Sequence, residues 1–213
     1  LHRRRHSFPT RRSSDLRPRA SQYAKTEAVP DDVAARLVEA AGSRGENRLR
    51  DRALVAVLWA TGMRRVSAVS VTRADVFRRE GVLVARHLLK GGAQAEAELT
   101  EDAAAAVVAW LAAAPKSKWL FCQVNGSPLS PQAVTKVVSE AARAAGVRAH
   151  PHQFRSAFIT RALDAGIHLE RVQRAAGHSD PRSTLGYDRG RRGAGVAAEL
   201  AAFRAAERAR RGS

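Results

Sequence analysis

Residues 151–166 read PHQFRSAFITRALDAG, and residues 177–187 read GHSDPRSTLGY. Residues 153–165 of the first stretch have helical character, with Gly166 as the stop signal. Residues 170–176 predict another helix, stopped by Gly177, and residues 181–187 one more short one. The two stretches hold His152, Arg155 and His178, and Tyr187 follows the second histidine by nine positions. No metal-binding or nucleotide-binding pattern accompanies them. Cations, imidazoles and a phenol in company suit attack on a phosphate diester, because fixed cationic donors stabilise the extra negative charge of that transition state.

Working outward, Pro30-Asp31-Asp32 opens a helix with Val33, Leu37, Val38, Ala40 and Ala41 as its buried stripe and Gly42 as its end. Residues 50–60 set Leu54, Val55, Leu58 and Trp59 at helical spacing and finish at Thr61-Gly62. Residues 65–71 form a short helix. Residues 81–85 are a β-branched run, Lys90-Gly91-Gly92 is a turn, and residues 95–99 return as a strand, which predicts a small hairpin and no large sheet. Thr100 begins a helix to about residue 113, with Glu101 and Asp102 in its first turn. Trp119-Leu120-Phe121 is a short apolar stretch, and Gly126-Ser127-Pro128 is a turn. Ser130 then caps a helix with Pro131 at its first position, ending at Gly146. Residues 193–211 are alanine-rich and amphipathic, with Val196, Leu200 and Phe203 on one face. The expected fold is mainly α with a small antiparallel β-sheet, an α+β class, without internal repeats. Residues 17–28 read as linker, 29–190 as one domain, and 191–213 as a C-terminal helix and tail.

The formal charge of +17 points to a polyanionic partner, double-stranded DNA before a membrane surface. A base composition that favours arginine is the bland alternative. The lone cysteine, Cys122, excludes an internal disulfide framework and fits a reducing, cytoplasmic setting. No apolar run approaches the roughly 20 residues of a membrane span. No cofactor and no metal site is expected.

Residues 1–16 stand apart. His6 to Leu16, HSFPTRRSSDL, is identical to the translation of a common short-read sequencing adapter. The segment reads as an assembly scar without fold, in preference to a natural basic arm. Five arginines and one aspartate lie in it, so 37 basic and 20 acidic residues become 32 and 19, and the remainder still carries +13. On this reading, and with no starting methionine, the natural N-terminus is expected to have been lost with whatever preceded it.

Thr61-Gly62-Met63-Arg64, Lys90-Gly91-Gly92, Pro151-His152-Gln153-Phe154-Arg155, Gly177-His178 and Tyr187, in that order, resemble the catalytic domain of tyrosine recombinases, the phage-integrase family. The likeness covers residues 28–205, and the run from Asp180 to Arg189 is similar to the ending of actinobacterial integrases. It implies the family's DNA breaking-and-rejoining fold. It also implies Tyr187 as nucleophile, Arg64 and Arg155 on the phosphate oxygens, His152 as base, His178 as hydrogen-bond donor to phosphate, and Lys90 as the acid that protonates the leaving 5′-oxygen. The resemblance further implies a separate N-terminal DNA-gripping domain before the linker. It also implies self-assembly on DNA as a tetrameric synapse through the C-terminal helix, and nucleoid association when bound.

Other readings stay open at this level. Arg65 competes with Arg64, although the distance to Asp75 matches the family for Arg64. His178 is alternatively a helix cap, His152 a structural imidazole, and Lys90 a solvated turn residue. His87, His150 and His168 match no motif and read as surface or loop residues. The chain also departs from the family pattern. Ser67 stands where an acidic residue would orient Arg64, and Glu96 and Glu98 make acidic a hairpin that is usually basic. Ser156 replaces a frequent histidine. The alternative function is therefore a DNA-binding remnant with impaired catalysis. A type IB topoisomerase and a basic membrane-surface protein are weaker alternatives.

Overall fold

The ALVAVLWA run of residues 53–60 is apolar on every side, and such a helix is stable only when surrounded. It forms the middle of α2 (Arg48–Thr61), where Ala53, Leu54, Val55, Val57 and Leu58 are all essentially inaccessible to solvent. The computed structural model describes residues 27–43, 45–89, 91–177 and 184. Around α2 pack α1 (Asp31–Gly42), α4 (Glu101–Ala113), α5 (Pro131–Ala144) and α6 (Pro151–Asp164). The short helices α3 (Arg65–Ser70) and α7 (Leu169–Ala176) lie against α5 and α6 respectively.

The helix starts follow their local chemistry. Ser130 Oγ accepts from the Ala133 N–H at 3.1 Å with Pro131 at the first position, as the sequence predicts. Thr100 does the same for Ala103 at 3.4 Å. In α1 the cap position is Pro30, while Asp31 and Asp32 fill the first turn and complement the helix dipole. On α5, Val134, Val137, Val138, Ala141 and Ala142 make the buried stripe, the spacing of one helical face.

The sheet is larger than the expected hairpin. It has three antiparallel strands in the order β1 (Val76–Arg79), β2 (Val82–Leu88) and β3 (Gln94–Glu98). β1 is hard to see in sequence because VFRR offers two apolar residues followed by two arginines. The turn into β2 uses Glu80 at φ 49 and Gly81 at φ 84, without the Asn-Gly or Asp-Gly signal that usually marks such a turn. β2 also runs three residues beyond the expected end of its strand, to Leu88.

Trp119-Leu120-Phe121 ties the layers together. Leu120 N–H donates to Val71 O at 2.9 Å, and Trp110 Nε1 donates to Leu120 O at 2.7 Å. Leu120, Phe121 and Cys122 are fully buried. α6 is bound to α2 by Arg161, whose guanidinium lies 3.5 Å from the centre of the Trp59 ring and donates to Trp59 O at 2.7 Å. Trp59 in turn meets Phe154 edge to face, 6.4 Å between ring centres.

Several sequence readings lie outside the described residues: the adapter-like segment, the linker through residue 26, Lys90, His178, Tyr187 and the helix over 193–211. Of the helix expected over 181–187, Thr184 is described, helical and fully buried. Among the described residues no helix is long and apolar enough to cross a membrane.

Phe121→Ala is expected to lower stability by about 3–5 kcal/mol, since a fully buried aromatic leaves a cavity that close-packed neighbours fill only in part. Urea unfolding followed by circular dichroism checks this, the midpoint falling with little change in slope.

Candidate active site

The Thr61-Gly62-Met63-Arg64 turn explains itself residue by residue. Thr61 Oγ donates back to Val57 O at 2.7 Å and accepts the Met63 N–H at 3.2 Å, so one hydroxyl closes α2 and starts the next segment. Gly62 takes the left-handed conformation, φ 60, and donates to Leu58 O at 3.0 Å. A Cβ there would stand 2.7 Å from Phe158 Cβ, so glycine is required twice over, by conformation and by the closeness of α6. Met63 turns inward, and Arg64 becomes the residue that caps α3.

α6 begins with the other motif. His150 N–H donates to Gln153 Oε1 at 3.0 Å, which gives the glutamine of Pro-His-Gln-Phe-Arg a structural task at the helix start. Phe154 enters the core. His152 and Arg155, three positions apart, share a helix face. Arg155 is 4% exposed, and its two terminal nitrogens divide between chain segments far apart in sequence. Nη1 donates to Gly62 O at 3.1 Å, and Nη2 donates to Ala176 O. Arg64 Nη2 donates to the next carbonyl, Gly177 O, at 3.1 Å. Both arginines therefore meet at the C-terminus of α7, where unpaired carbonyls and the negative end of the helix dipole favour cations. The residue after Gly177 is His178.

The structure thus gathers Arg64, Arg155 and His152, and gives Arg64 rather than Arg65 the inward place. Arg65 reaches out to Thr135 Oγ1 at 3.1 Å. His152 is exposed at the mouth of this group, yet its pKa is pushed below the usual imidazole value. Partial burial of the ring is the main cause, followed by the charges of Arg155, His150 and Arg64. An imidazole held neutral can accept a proton near pH 7. Arg64 is half-buried, and burial lowers its pKa too, but a guanidinium keeps its charge.

Two departures from the family pattern acquire a structural role. Ser67 is buried, and its Oγ donates to Leu88 O at 2.6 Å, so it binds α3 to the end of β2. Ser156 is fully buried and donates to His152 O at 3.2 Å within α6. Glu96 is not an isolated anion. It pairs with Arg79 at 2.7 Å and Arg86 at 3.1 Å, and both guanidinium groups lie over the Phe77 ring. Glu98 is exposed.

One sequence reading is overturned. His150 and His168 are exposed helix-cap residues, in keeping with the expectation, but His87 is buried in β2. The strand continues past the apolar run, and period-two alternation puts Leu83, Ala85 and His87 on one face. That alternation is the signal that would have found it. Among the described residues no three His, Cys, Asp or Glu side chains are grouped to hold a metal ion. A cavity of 1020 Å³ lined by Arg50, Asp51, Gln123, Lys136 and Glu140 lies between α1, α2 and α5 and includes none of the site residues.

Residues 27–192 match the phage integrase family. The chain belongs to that family. It is 33% identical over 154 residues to the tyrosine recombinase XerC of Corynebacterium glutamicum, covering 70% of this chain and 49% of the relative. It is 30% identical over 182 residues to the XerC of Alcanivorax borkumensis, covering 81% and 59%. The chain spans about half the length of these curated relatives. The fold is shared with a XerH site-specific recombinase solved on palindromic difH substrate in a post-cleavage complex, at a TM-score of 0.67 and 24% identity. That match covers 76% of this chain and 49% of the other. The integrase-family fold is thus the one expected, mainly helical with a small antiparallel sheet.

Gly62→Ala is expected to destabilise by about 1–3 kcal/mol, the range of a non-glycine residue held in the left-handed region, with the Phe158 contact adding to it. A melting temperature lowered by several degrees in differential scanning calorimetry is the expected outcome; an unchanged value would show that the turn relaxes freely.

Proposed function

We propose that this chain carries the catalytic core of a site-specific DNA recombinase that breaks and rejoins strands through a 3′-phosphotyrosyl intermediate. One observation supports this most directly. Arg64 and Arg155 come from separate parts of the chain and converge, with His152 beside them, on the helix end that leads into His178.

In this reading the two guanidinium groups bind the non-bridging oxygens of the scissile phosphate and stabilise the added charge of the transition state. The Tyr187 oxygen attacks phosphorus while its proton passes to His152. The bond from phosphorus to the 5′-oxygen breaks, and Lys90 supplies the proton that leaves with the 5′-hydroxyl. His178 donates a hydrogen bond to the phosphate. A 5′-hydroxyl from another strand reverses the attack and returns the tyrosine. The phosphotyrosyl ester conserves the energy of the original linkage, so the exchange runs without ATP. Double-stranded DNA is the partner, and residues 193–211 supply the contact between protomers in a tetrameric synapse. The setting is the cytoplasm, on the nucleoid when DNA is bound.

A second reading rests on Ser67. With no carboxylate at that position to orient Arg64, the chain is a DNA-binding remnant whose chemistry is impaired. Covalent trapping separates the two. The substrate is a pool of nicked duplexes, randomised around the nick, whose short cleaved strand diffuses away. Trapped protein–DNA adducts in denaturing gels are expected from the unmodified chain and not from Tyr187→Phe. Binding without adducts would establish the remnant, and adducts from Tyr187→Phe would remove Tyr187 as nucleophile.

The lowered His152 pKa sets the pH dependence. The neutral base predominates above its folded pKa, so adduct formation should be flat near pH 7. It should fall only as pH drops through a value below the ordinary 6.5. His152→Gln should lose about a hundredfold in rate and this acid limb together. Single-turnover trapping from pH 5 to 8 measures both.

A further inference from the structure

His87 has no task in the chemistry above, yet it is near enough to Arg155 and Arg64 for their charges to act on it, on a strand packed along α3. It is 7% exposed, and its Nδ1 is buried without a hydrogen-bond partner among the described residues. The chain beside it is held on two sides. Leu88 O accepts from Ser67 Oγ on α3 at 2.6 Å, and the Leu89 side chain packs where a Cβ on Gly177 would come within 2.5 Å of Leu89 Cδ2. β2 therefore runs along α3, which Arg64 opens, and the residue after it, Leu89, reaches the end of α7, whose carbonyls bind both arginines.

A buried polar nitrogen left unpaired in a native protein calls for an explanation, because such groups are nearly always satisfied. Arg64 offers one. Among the described residues it makes a single hydrogen bond, to Gly177 O, while a guanidinium carries five N–H donors. The carboxylate that would take one of them from position 67 is absent, and the Ser67 hydroxyl is committed to Leu88 O. A fork with one anchor can swivel about it; a second acceptor would fix its plane.

We propose that His87 is a positioning residue for Arg64: its neutral imidazole accepts an N–H of the guanidinium through Nδ1 and fixes the fork in line with the phosphate. This rests on the recombinase reading for its consequence; the pairing itself needs Arg64 to swivel about its Gly177 anchor but does not need DNA. A neutral acceptor has an advantage over a carboxylate here, since it orients Arg64 without neutralising the charge that the phosphate is to meet. Burial, with the nearby Arg155 and Arg64 charges, holds His87 unprotonated against the opposing pull of the Leu88 carbonyl, and this keeps the lone pair available.

The test uses the duplex sequence recovered from the randomised pool, made with either a normal scissile phosphate or a methylphosphonate. The methylphosphonate lacks one anionic oxygen and so needs less from Arg64. His87→Val suits a strand but has no acceptor, whereas His87→Asn keeps an oxygen near the place of Nδ1. His87→Val should lose at least roughly tenfold in cleavage of the phosphodiester, the scale of an orienting partner. His87→Asn should recover most of that loss, and the deficit of His87→Val should vanish on the methylphosphonate. Wild-type cleavage by His87→Val, or an equal deficit on both substrates, would overturn the proposal. Long-range proton–nitrogen NMR of the unmodified chain decides it independently of turnover. Nδ1 should be unprotonated with a resonance that moves in Arg64→Lys, and an Nδ1–H tautomer would overturn the assignment. If the chain forms no adduct while that resonance behaves as expected, the recombinase reading fails and the His87–Arg64 contact stands.

Discussion

The site depends on a buried cation shared between two helix ends. A helix leaves its last carbonyls without internal partners, and Gly62 O and Ala176 O are such groups, at the ends of α2 and α7. Arg155 takes both, from a third helix. Burying a guanidinium is unfavourable unless its donors are used, and hydrogen bonds to a charged group contribute about 1.5–3 kcal/mol each. The same contacts therefore satisfy the carbonyls, offset the desolvation of the charge, and set α2, α6 and α7 in register. On the recombinase reading position and chemistry are not separable, because the residue that joins the helices is also the one that would present its charge to the phosphate.

That coupling explains the crowding around the site. Gly62 must lack a side chain because Phe158 of α6 approaches within contact of where one would be, and the approach is what brings Arg155 to the Gly62 carbonyl. Arg161, six residues further along α6, repeats the arrangement in a partly buried setting by stacking on Trp59 and bonding its carbonyl. Two arginines of one helix thus hold the last turns of α2. Arg64 begins the very next helix, so its direction is inherited from the same turn.

Much of this was legible because the informative residues act locally. Thr61-Gly62, Ser130-Pro131 and Thr100 announce helix ends through capping chemistry that needs no knowledge of the rest of the fold. The gathering of Arg64 with Arg155 and His152 was legible only through the resemblance, since nothing in local sequence brings residues 64 and 155 together. β1 is hidden because its two apolar residues, Val76 and Phe77, are adjacent rather than alternating and run into Arg78 and Arg79, and because Glu80 adopts a positive φ without a recognisable turn pair. His87 was missed for a related reason. The apolar run ends before Arg86 and His87, and only the sheet shows that the strand continues in register, His87 opposite Ala95. A buried histidine among charges looks like a surface residue until the face it shares with Leu83 and Ala85 is known.

The acidic hairpin looked from sequence like an obstacle to DNA binding, and the sheet recasts the problem. Glu96 lies between two arginines that also stack on Phe77, so the group carries two cations for one anion. Exposed ion pairs are weak and are weakened further by salt, so Glu96 restrains these arginines only lightly. A phosphate is an equally good partner for a guanidinium fork and arrives as part of a polyanion whose release of counterions favours binding. In the free protein the carboxylate pairs with Arg79 and Arg86 beside the ring, and on the recombinase reading a phosphate would take its place without breaking any buried contact. Glu98 makes no ion pair among the described residues, so on the recombinase reading it is the hairpin carboxylate that would oppose a DNA backbone.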